Sequence, residues 1–265
     1  MIAALAIALD PTGADLISDA LRNLRMSPGI SISIDGLETI GNRSGKTRID
    51  IAYFEQTQNG RQWAWGEMAE SANGYLVKRT VGDGLTFWSW SPARNEYLSA
   101  VYGSYGKENP KDYKNNLFQS LATVAMGPAA YGVRLVREVY GGDSAGFREW
   151  LPGATTEVLT RGMAPFKDAI TGQPYAADDA HDYIVQELGD PVRRCMTFER
   201  TKDDQGTWRL TTVFVADITR VGRETKVSNY TMRIQPGDQP AAWATFRFVP
   251  PSGAKALPLE KGGRG

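Results

Sequence analysis

Apolar residues recur along this chain with two different periods. Between Asp10 and Leu24, the residues Leu16, Ile17, Ala20, Leu21 and Leu24 return at three- and four-residue spacing. Asp10 can cap, Pro11 suits a first helical position, and Ser27-Pro28-Gly29 stops the pattern, so the spacing predicts an amphipathic helix. After Gly29 the period becomes two. Ile30, Ile32 and Ile34 alternate with Ser31, Ser33 and Asp35, and Ile49, Ile51 and Tyr53 alternate with Arg48, Asp50 and Ala52, as in half-buried strands. Runs around Trp63 and Trp65, Leu76 and Lys78, Phe87 to Trp90 and Tyr97 to Val101 continue it. Asn59-Gly60, Asn73-Gly74, Asp83-Gly84 and Ala93-Arg94-Asn95 separate these runs, and Asn-Gly or Asp-Gly supplies the positive φ of tight hairpins. An antiparallel meander is predicted.

Residues 108–170 break this rhythm. Asp112 to Ala130 reads as helix through Tyr113, Leu117, Leu121 and Val124, whereas Tyr131 to Tyr140 fits helix and strand equally. From His181 the two-residue period returns through Tyr183 and Val185, Arg194 to Phe198, Trp208 to Ile218, Tyr230 to Ile234 and Trp243 to Val249, ending at Pro250-Pro251. Two blocks of strands therefore flank a helical insertion. Nothing alternates as βαβ, which argues against a parallel sheet and for an α+β fold. The tail beyond residue 257 is rich in Lys and Gly and reads as disordered.

At 265 residues the chain can bury a substantial core unaided, and residues 10–257 read as one domain. Thirty Lys and Arg balance thirty Asp and Glu, and no long basic run is present to hold a phosphate backbone, so nucleic acid is not an expected partner. One Cys and one His exclude an internal disulfide and a Cys/His zinc site built from this chain alone; no cofactor or metal is expected. Met1 to Leu9 are unbroken apolar, far short of the roughly 20 residues needed to span a bilayer. They have the length of a signal-peptide apolar region, with Ala4-Leu5-Ala6 resembling a cleavage site, but lack a basic start. Two readings stay open: a truncated export signal over residues 1–9, or a short buried segment. Lipid anchoring at a lipobox is excluded, because Cys195 is the sole cysteine.

Several short patterns imitate catalytic motifs. Gly142-Asp143-Ser144-Ala145-Gly146 fits G-x-S-x-G, in which a strained strand-to-helix turn exposes a serine to a histidine base, and His181 is the one candidate base. The surrounding sequence shows neither the parallel α/β pattern nor an oxyanion loop, so a Gly-rich turn explains the match better; a serine hydrolase using Ser144 and His181 is the alternative function. Gly41 to Thr47 imitates a phosphate-binding loop, but three residues separate its glycines instead of four, and Thr47 leads into Arg48-Ile49-Asp50-Ile51 rather than a helix. It reads as a hairpin. Cys195 falls on one face of a strand, where a buried inert thiol is the commoner outcome. Asp178-Asp179 and Asp203-Asp204 read as solvated loop charges.

The unusual feature is the aromatic load. Four of seven Trp stand at 63, 65, 88 and 90, with Phe87 next to Trp88, and Tyr97, Trp208, Phe214, Trp243, Phe246 and Phe248 on other strands. Two explanations stay open: ordinary packing of a closed core, or an incompletely closed β surface around an apolar cavity that takes an acyl chain or similar ligand. On the second, Trp63 and Trp65 or Trp88 and Trp90 face inward with members of the set Phe87, Tyr97, Trp208, Phe214, Phe246 and Phe248.

Two stretches resemble a known family. Asp83-Gly84-Leu85-Thr86-Phe87-Trp88-Ser89-Trp90-Ser91-Pro92, followed by Asn95-Glu96-Tyr97, is similar to a hairpin of the periplasmic lipoprotein-carrier (LolA-like) superfamily. Phe246-Arg247-Phe248-Val249-Pro250-Pro251-Ser252-Gly253-Ala254-Lys255 resembles an ending found among its relatives, and the opening amphipathic helix has its place there too. The resemblance implies a strongly curved, unclosed antiparallel β-barrel lidded by helices around a hydrophobic cavity. It further implies a monomeric, exported, non-enzymatic protein of the periplasm or cell surface, acting as carrier or sensor. Its expected ligand is a lipid or lipoprotein acyl chain, and an envelope protein is a further expected partner.

Overall fold

The period-two runs pair into one sheet. The computed structural model describes residues 13–58, 61–101, 110–141, 155–159, 166–167, 174–175, 181–188, 193–237 and 246–257. Helix α1 (Gly13–Leu24) precedes a meander of β1 (Gly29–Ile40), β2 (Arg43–Gln58), β3 (Arg61–Ala72), β4 (Tyr75–Gly82), β5 (Thr86–Ser91) and β6 (Glu96–Val101). Helices α2 (Pro110–Val124) and α3 (Pro128–Tyr140) follow. Next come β7 (Thr155–Leu159), a separate pair β8 (Phe166–Lys167) and β9 (Pro174–Tyr175), and then β10 (His181–Leu188), β11 (Arg193–Lys202), β12 (Trp208–Val221), β13 (Glu224–Gly237) and β14 (Lys255–Ala256).

The main sheet has twelve strands in the order β14-β6-β5-β4-β3-β2-β1-β13-β12-β11-β10-β7. Neighbours are antiparallel throughout, except that β14 lies parallel to β6. The two meanders join through β1 and β13, paired from Gly29 opposite Gly237 to Ile40 opposite Lys226. Strands β14 and β7 end the order without pairing to each other, so the α+β barrel is open, as the sequence led us to expect. A twisted sheet this wide curls rather than lying flat.

Turn chemistry sets the register. Asn73 (φ 49°) and Gly74 (φ 86°) place positive φ at both central positions of the β3–β4 hairpin. Gly41 (φ 56°) with Asn42 turns β1 into β2, so the imitation phosphate loop is a hairpin. At the β4–β5 turn the Asp83 carboxylate accepts from the Leu85 and Thr86 amides at 3.0 and 2.7 Å, while Gly84 takes φ 90°.

Alternation divides the sheet into two faces. Ile30, Ile32 and Ile34, Ile49, Ile51 and Tyr53, Met68, Val213 and Val215, and Met232 and Ile234 bury one face beneath the helices. Helix α1 lies on β11 and β12, α2 on β3 and β5, and α3 on β1 and β2. Where the sequence pattern predicts one helix over Asp112–Ala130, two helices form. Gly127 (φ 54°, ψ −128°) breaks the turn and Pro128 opens α3, since proline cannot donate into a continuing helix. Tyr131–Tyr140, ambiguous by pattern, is helical, with Val133, Val136 and Tyr140 buried. The irregular middle also holds a strand, β7, which extends the sheet beyond β10 with Leu159 opposite Tyr183.

Residues 1–9, Ser144 with its glycine-rich surroundings, Asp178-Asp179, Trp243 and the tail from 258 lie outside the described residues. No described helix is long and apolar enough to cross a membrane.

Candidate ligand-binding surfaces

The first candidate is the packed apolar layer between the sheet and helices α2 and α3. Leu117, Phe118 and Leu121 of α2 and Val133 and Val136 of α3 face the buried side of the strands. Tyr53 stacks on Phe118 at 5.3 Å and meets Tyr140 at 4.7 Å. Gly66 on β3 lies directly beneath α2: a Cβ there would meet Leu121 at 3.3 Å and Leu117 at 3.5 Å.

Polar ties bind α2 to the sheet at both ends. In its first half Lys114 pairs with Glu55 of β2 at 2.7 Å, and Glu55 also accepts from the Tyr53 hydroxyl at 2.8 Å. At its C-terminus Lys78 of β4 donates to the Val124 carbonyl at 2.5 Å, a cation placed at the negative end of the helix. Glu70 faces Lys78 across β3 and β4 at 3.8 Å, too far to hydrogen-bond; burial pushes its carboxyl up, and the Lys78 charge only partly opposes this. Burial, aided by the Glu55 charge, also raises Tyr53 and Tyr140 well above the ordinary tyrosine range, so both stay protonated donors. The Tyr140 hydroxyl donates to the Ser27 carbonyl at 3.0 Å, fixing α3 to the α1–β1 turn. Beside this cluster a pocket of about 190 Å³ opens between Arg25, Met26, Ser27, Pro28, Glu55, Gln56 and Thr57.

The second candidate is the opposite face of the sheet. Phe54, Trp65, Val81, Phe246 and Phe248 are buried together, with Trp63, Trp88, Trp90 and Tyr97 packed against them. Phe54 stacks on Trp65 at 5.7 Å and Trp63 on Trp65 at 6.5 Å. The segment Phe246–Leu257 covers this cluster, and Phe248 touches Trp88, Trp90 and Tyr97 at 5.6, 6.2 and 6.3 Å. Further along the same face lies a polar groove of about 170 Å³ lined by Ser31, Ser33, Asp35, Arg48, Arg233 and Gln235. Asp35 accepts from Arg233 at 2.7 Å and Arg48 at 3.4 Å, Arg48 forks onto Asp50, and Ser33 donates to Asp50 at 2.7 Å. Charges there are mutually matched, which leaves that groove without a net preference for an anion or cation.

The aromatic residues picked out by sequence thus divide between faces. Trp63, Trp65, Trp88, Trp90, Tyr97, Phe246 and Phe248 come together under the C-terminal segment, and Phe87 points the other way, into the helix-covered core. Both Trp pairs share one face, the one away from the helices. Trp208 lies against the Arg200 guanidinium and the Lys202 ammonium at 4.7 and 4.8 Å, and its carbonyl accepts from Asn23 of α1 at 2.7 Å. Phe214 stands between Thr197 and Thr231 in the ladder. His181 begins β10 opposite Thr201, and Cys195 lies in β11 opposite Glu187 and Ala216.

Glu55, Lys114 and Lys78 escaped the sequence reading although two of them leave a signal. Glu55 continues the apolar register Ile49, Ile51, Tyr53, and Lys114 continues Leu117 and Leu121 at helical spacing. A charge on a buried register calls for a buried partner.

No family model matches the chain, and no curated protein matches it. Solved structures do. The chain is similar to LprF from Mycobacterium bovis, with 11% identity and a TM-score of 0.33 over 91% of this chain and 97% of that one. It is likewise similar to a LolA superfamily protein from Nitrosomonas europaea, with 11% identity and a TM-score of 0.32 over 90% and 98% of the two chains. A DUF1329 family protein from Desulfovibrio piger gives 11% identity and a TM-score of 0.34 over 89% and 98%.

Proposed function

We propose that the protein is a non-enzymatic carrier or sensor of the cell envelope that holds a lipid or lipoprotein acyl chain between the open sheet and helices α2 and α3. The observation that carries this reading is the way α2 closes over an apolar sheet face. Its inner side is aliphatic and aromatic, while the polar ties lie at its ends, through Lys114 to Glu55 and through the Val124 carbonyl to Lys78. Gly127 and Pro128 then separate it from α3. A lid of this kind can part from the sheet without breaking the sheet ladder, exchanging its polar ties for water and the contacts of Leu117, Phe118 and Leu121 with the strands for contacts with the ligand. An acyl chain gains about 0.8 kcal/mol per buried CH₂, so a chain of ordinary length offsets the opening of such a lid. Nothing covalent is required.

The test is direct. Protein purified from a membrane-containing host should release fatty acid or phospholipid on solvent extraction, identified by mass spectrometry. A fluorescent fatty acid should bind saturably and be displaced by an unlabelled one. Protein that yields no lipid as purified and, once delipidated, binds no fluorescent fatty acid overturns the proposal.

A further inference from the structure

The antiparallel register brings four hairpin turns to one end of the sheet. Ile40 stands opposite both Arg43 and Lys226, Ala72 opposite both Thr47 and Tyr75, Val221 opposite Glu224 and Ser91 opposite Glu96. The β1–β2, β5–β6 and β12–β13 turns and the residues beside them carry Arg43, Lys46, Arg94, Arg220 and Arg223, all exposed. The carboxylates at this end do not neutralise them. Glu224 stands 3.8 Å from Arg43, Glu38 is taken up by Lys226 and Tyr230, and Glu70 and Glu96 are half-buried. Lys46, Arg94, Arg220 and Arg223 have no ion-pair partner among the described residues. At the opposite end the β4–β5 and β11–β12 turns carry Asp83, Asp203 and Asp204, with Arg25 in the α1–β1 turn. A chain of zero net charge therefore places its unpaired cations mainly at one end.

The fourth turn at that end, β3–β4, is apolar. Tyr75, Leu76 and Val77 follow it in succession and all three are exposed, Tyr75 by 79%. A strand covered on one face exposes every second residue, so three exposed apolar side chains in a row are covered on neither. Met126, 75% exposed, lies just beyond the end of α2, which the Lys78 bond to the Val124 carbonyl fastens to the same strand. The crest is held firmly beside the cations. The Asn73 amide donates to the Lys46 carbonyl at 2.8 Å, and the Asn73 side chain accepts from the Lys46 amide at 3.0 Å.

We propose that this end of the sheet docks on an anionic membrane surface, with Tyr75, Leu76 and Val77 seated among the lipid headgroups and Arg43, Lys46, Arg220 and Arg223 against their phosphates. Cations gain from the negative surface potential only within about a Debye length, which the turns reach because they end together. Tyrosine suits the boundary between headgroup and hydrocarbon, and an exposed apolar crest rimmed by cations finds both of its complements there. An acidic protein would answer the cations and leave the crest in water. The docking stands on charge and exposure alone and does not rest on the acyl-chain reading.

The full chain should sediment with vesicles of phosphatidylcholine containing about one third phosphatidylglycerol, and not with phosphatidylcholine alone. Binding should weaken as salt is raised to about 0.5 M. Arg220→Glu with Arg223→Glu should lower the affinity about tenfold or more, and Tyr75→Ser with Leu76→Ser should do the same. Lys46→Glu reads the charge from a separate hairpin, should either pair fail to fold by circular dichroism. Arg25→Glu, the same reversal at the opposite end, should change little. Absence of wild-type binding, equal binding to neutral vesicles, or folded charge variants that bind like wild type overturns the proposal. So does an equal loss in Arg25→Glu, which would spread the attraction over the whole molecule. Serine variants at Tyr75 and Leu76 that bind like wild type overturn the seated crest, and binding to polyglutamate but not to vesicles gives the surface to an acidic protein instead.

Discussion

Lys114 on α2 and Glu55 on β2 meet at 2.7 Å with side chains only 11% and 19% exposed, and the Tyr53 hydroxyl donates to the same carboxylate. An ion pair so shielded is a poor source of net stability, because desolvating two charges costs nearly what their attraction returns. It does fix where α2 sits, since any shift of the helix strands one of the two charges.

Removing one partner is therefore worse than removing both. Lys114→Met should destabilise the protein by about 3 kcal/mol, because Glu55 keeps its charge without its cation. Adding Glu55→Gln to that variant should recover a part of the loss, as a double-mutant cycle in urea would read. A single variant as stable as wild type, or a double variant worse than the sum, would show that the pair does not place α2.

Two half-buried glutamates pull stability in opposite directions with pH. Burial acts to raise Glu38, but hydrogen bonds from Tyr230 and Lys226 and the Lys226 charge outweigh it and hold the carboxyl below its ordinary 4.5. Its contribution is present above that value and lost as pH falls through the lowered one. Glu70 is raised, mainly by burial, so the folded state prefers its protonated form. Its contribution is most favourable below 4.5 and declines as pH rises through the raised value. Glu38→Gln should thus lower the melting temperature at pH 7 and matter little in strong acid, whereas Glu70→Gln should raise it at pH 7. Matching pH profiles for the two variants would contradict this assignment.

Gly132 and Gly45 should respond oppositely to a side chain. A Cβ at Gly132 would stand 2.5 Å from Ile51 Cδ1 and 2.9 Å from Ile34 Cδ1, where α3 lies closest to the sheet. Overpacking of about 1–3 kcal/mol exceeds the roughly 1 kcal/mol gained from better helix propensity, so Gly132→Ala should lower stability. Gly45 on β2 has nothing within 4 Å of a Cβ, and Gly45→Thr should raise stability by about 0.5–1 kcal/mol. Denaturant midpoints decide both signs.

The strands were legible because one covered face stamps a period of two on the sequence, and the hairpins because Asn73-Gly74 and Gly84 need positive φ. The break between α2 and α3 was legible in principle from Gly127-Pro128, yet the helical spacing of Leu117, Leu121 and Val124 ran up to it and masked it. The faces of the sheet were not legible at all. Periodicity places Trp88 and Trp90 together and Phe87 opposite them, but which side the helices cover is decided by connections from β6 through α2 and α3, far along the chain. The motif around Phe246 and Phe248 was visible as a pattern, and its seat against Trp88 was not, because a parallel addition to β6 leaves no local signature.

Ser144→Ala should leave lipid binding unchanged. The G-x-S-x-G match at Ser144 stands in a sequence without the parallel α/β pattern or the oxyanion-loop motif with which such hydrolases lower an acyl-transfer barrier by several kcal/mol. Labelling of Ser144 by a fluorophosphonate probe, abolished by His181→Ala, would instead establish hydrolase chemistry.

The two faces can be told apart by filling one and trimming the other. Gly66 faces Leu117 and Leu121 beneath α2, so the branched side chain of Gly66→Val would occupy space that an acyl chain needs while keeping the wall apolar and the strand propensity high. Trp63 packs on the far side of the same strand, and Trp63→Ser removes aromatic surface without touching that space. With both variants folded by circular dichroism, affinity for a fluorescent fatty acid should fall by about tenfold in Gly66→Val, a loss of about 1.4 kcal/mol, and change little in Trp63→Ser. The reverse outcome would move the ligand to the aromatic face, where the covering segment and the acyl chain would have to compete for Trp65 and Trp88. Equal affinity in both variants would mean that neither face holds it.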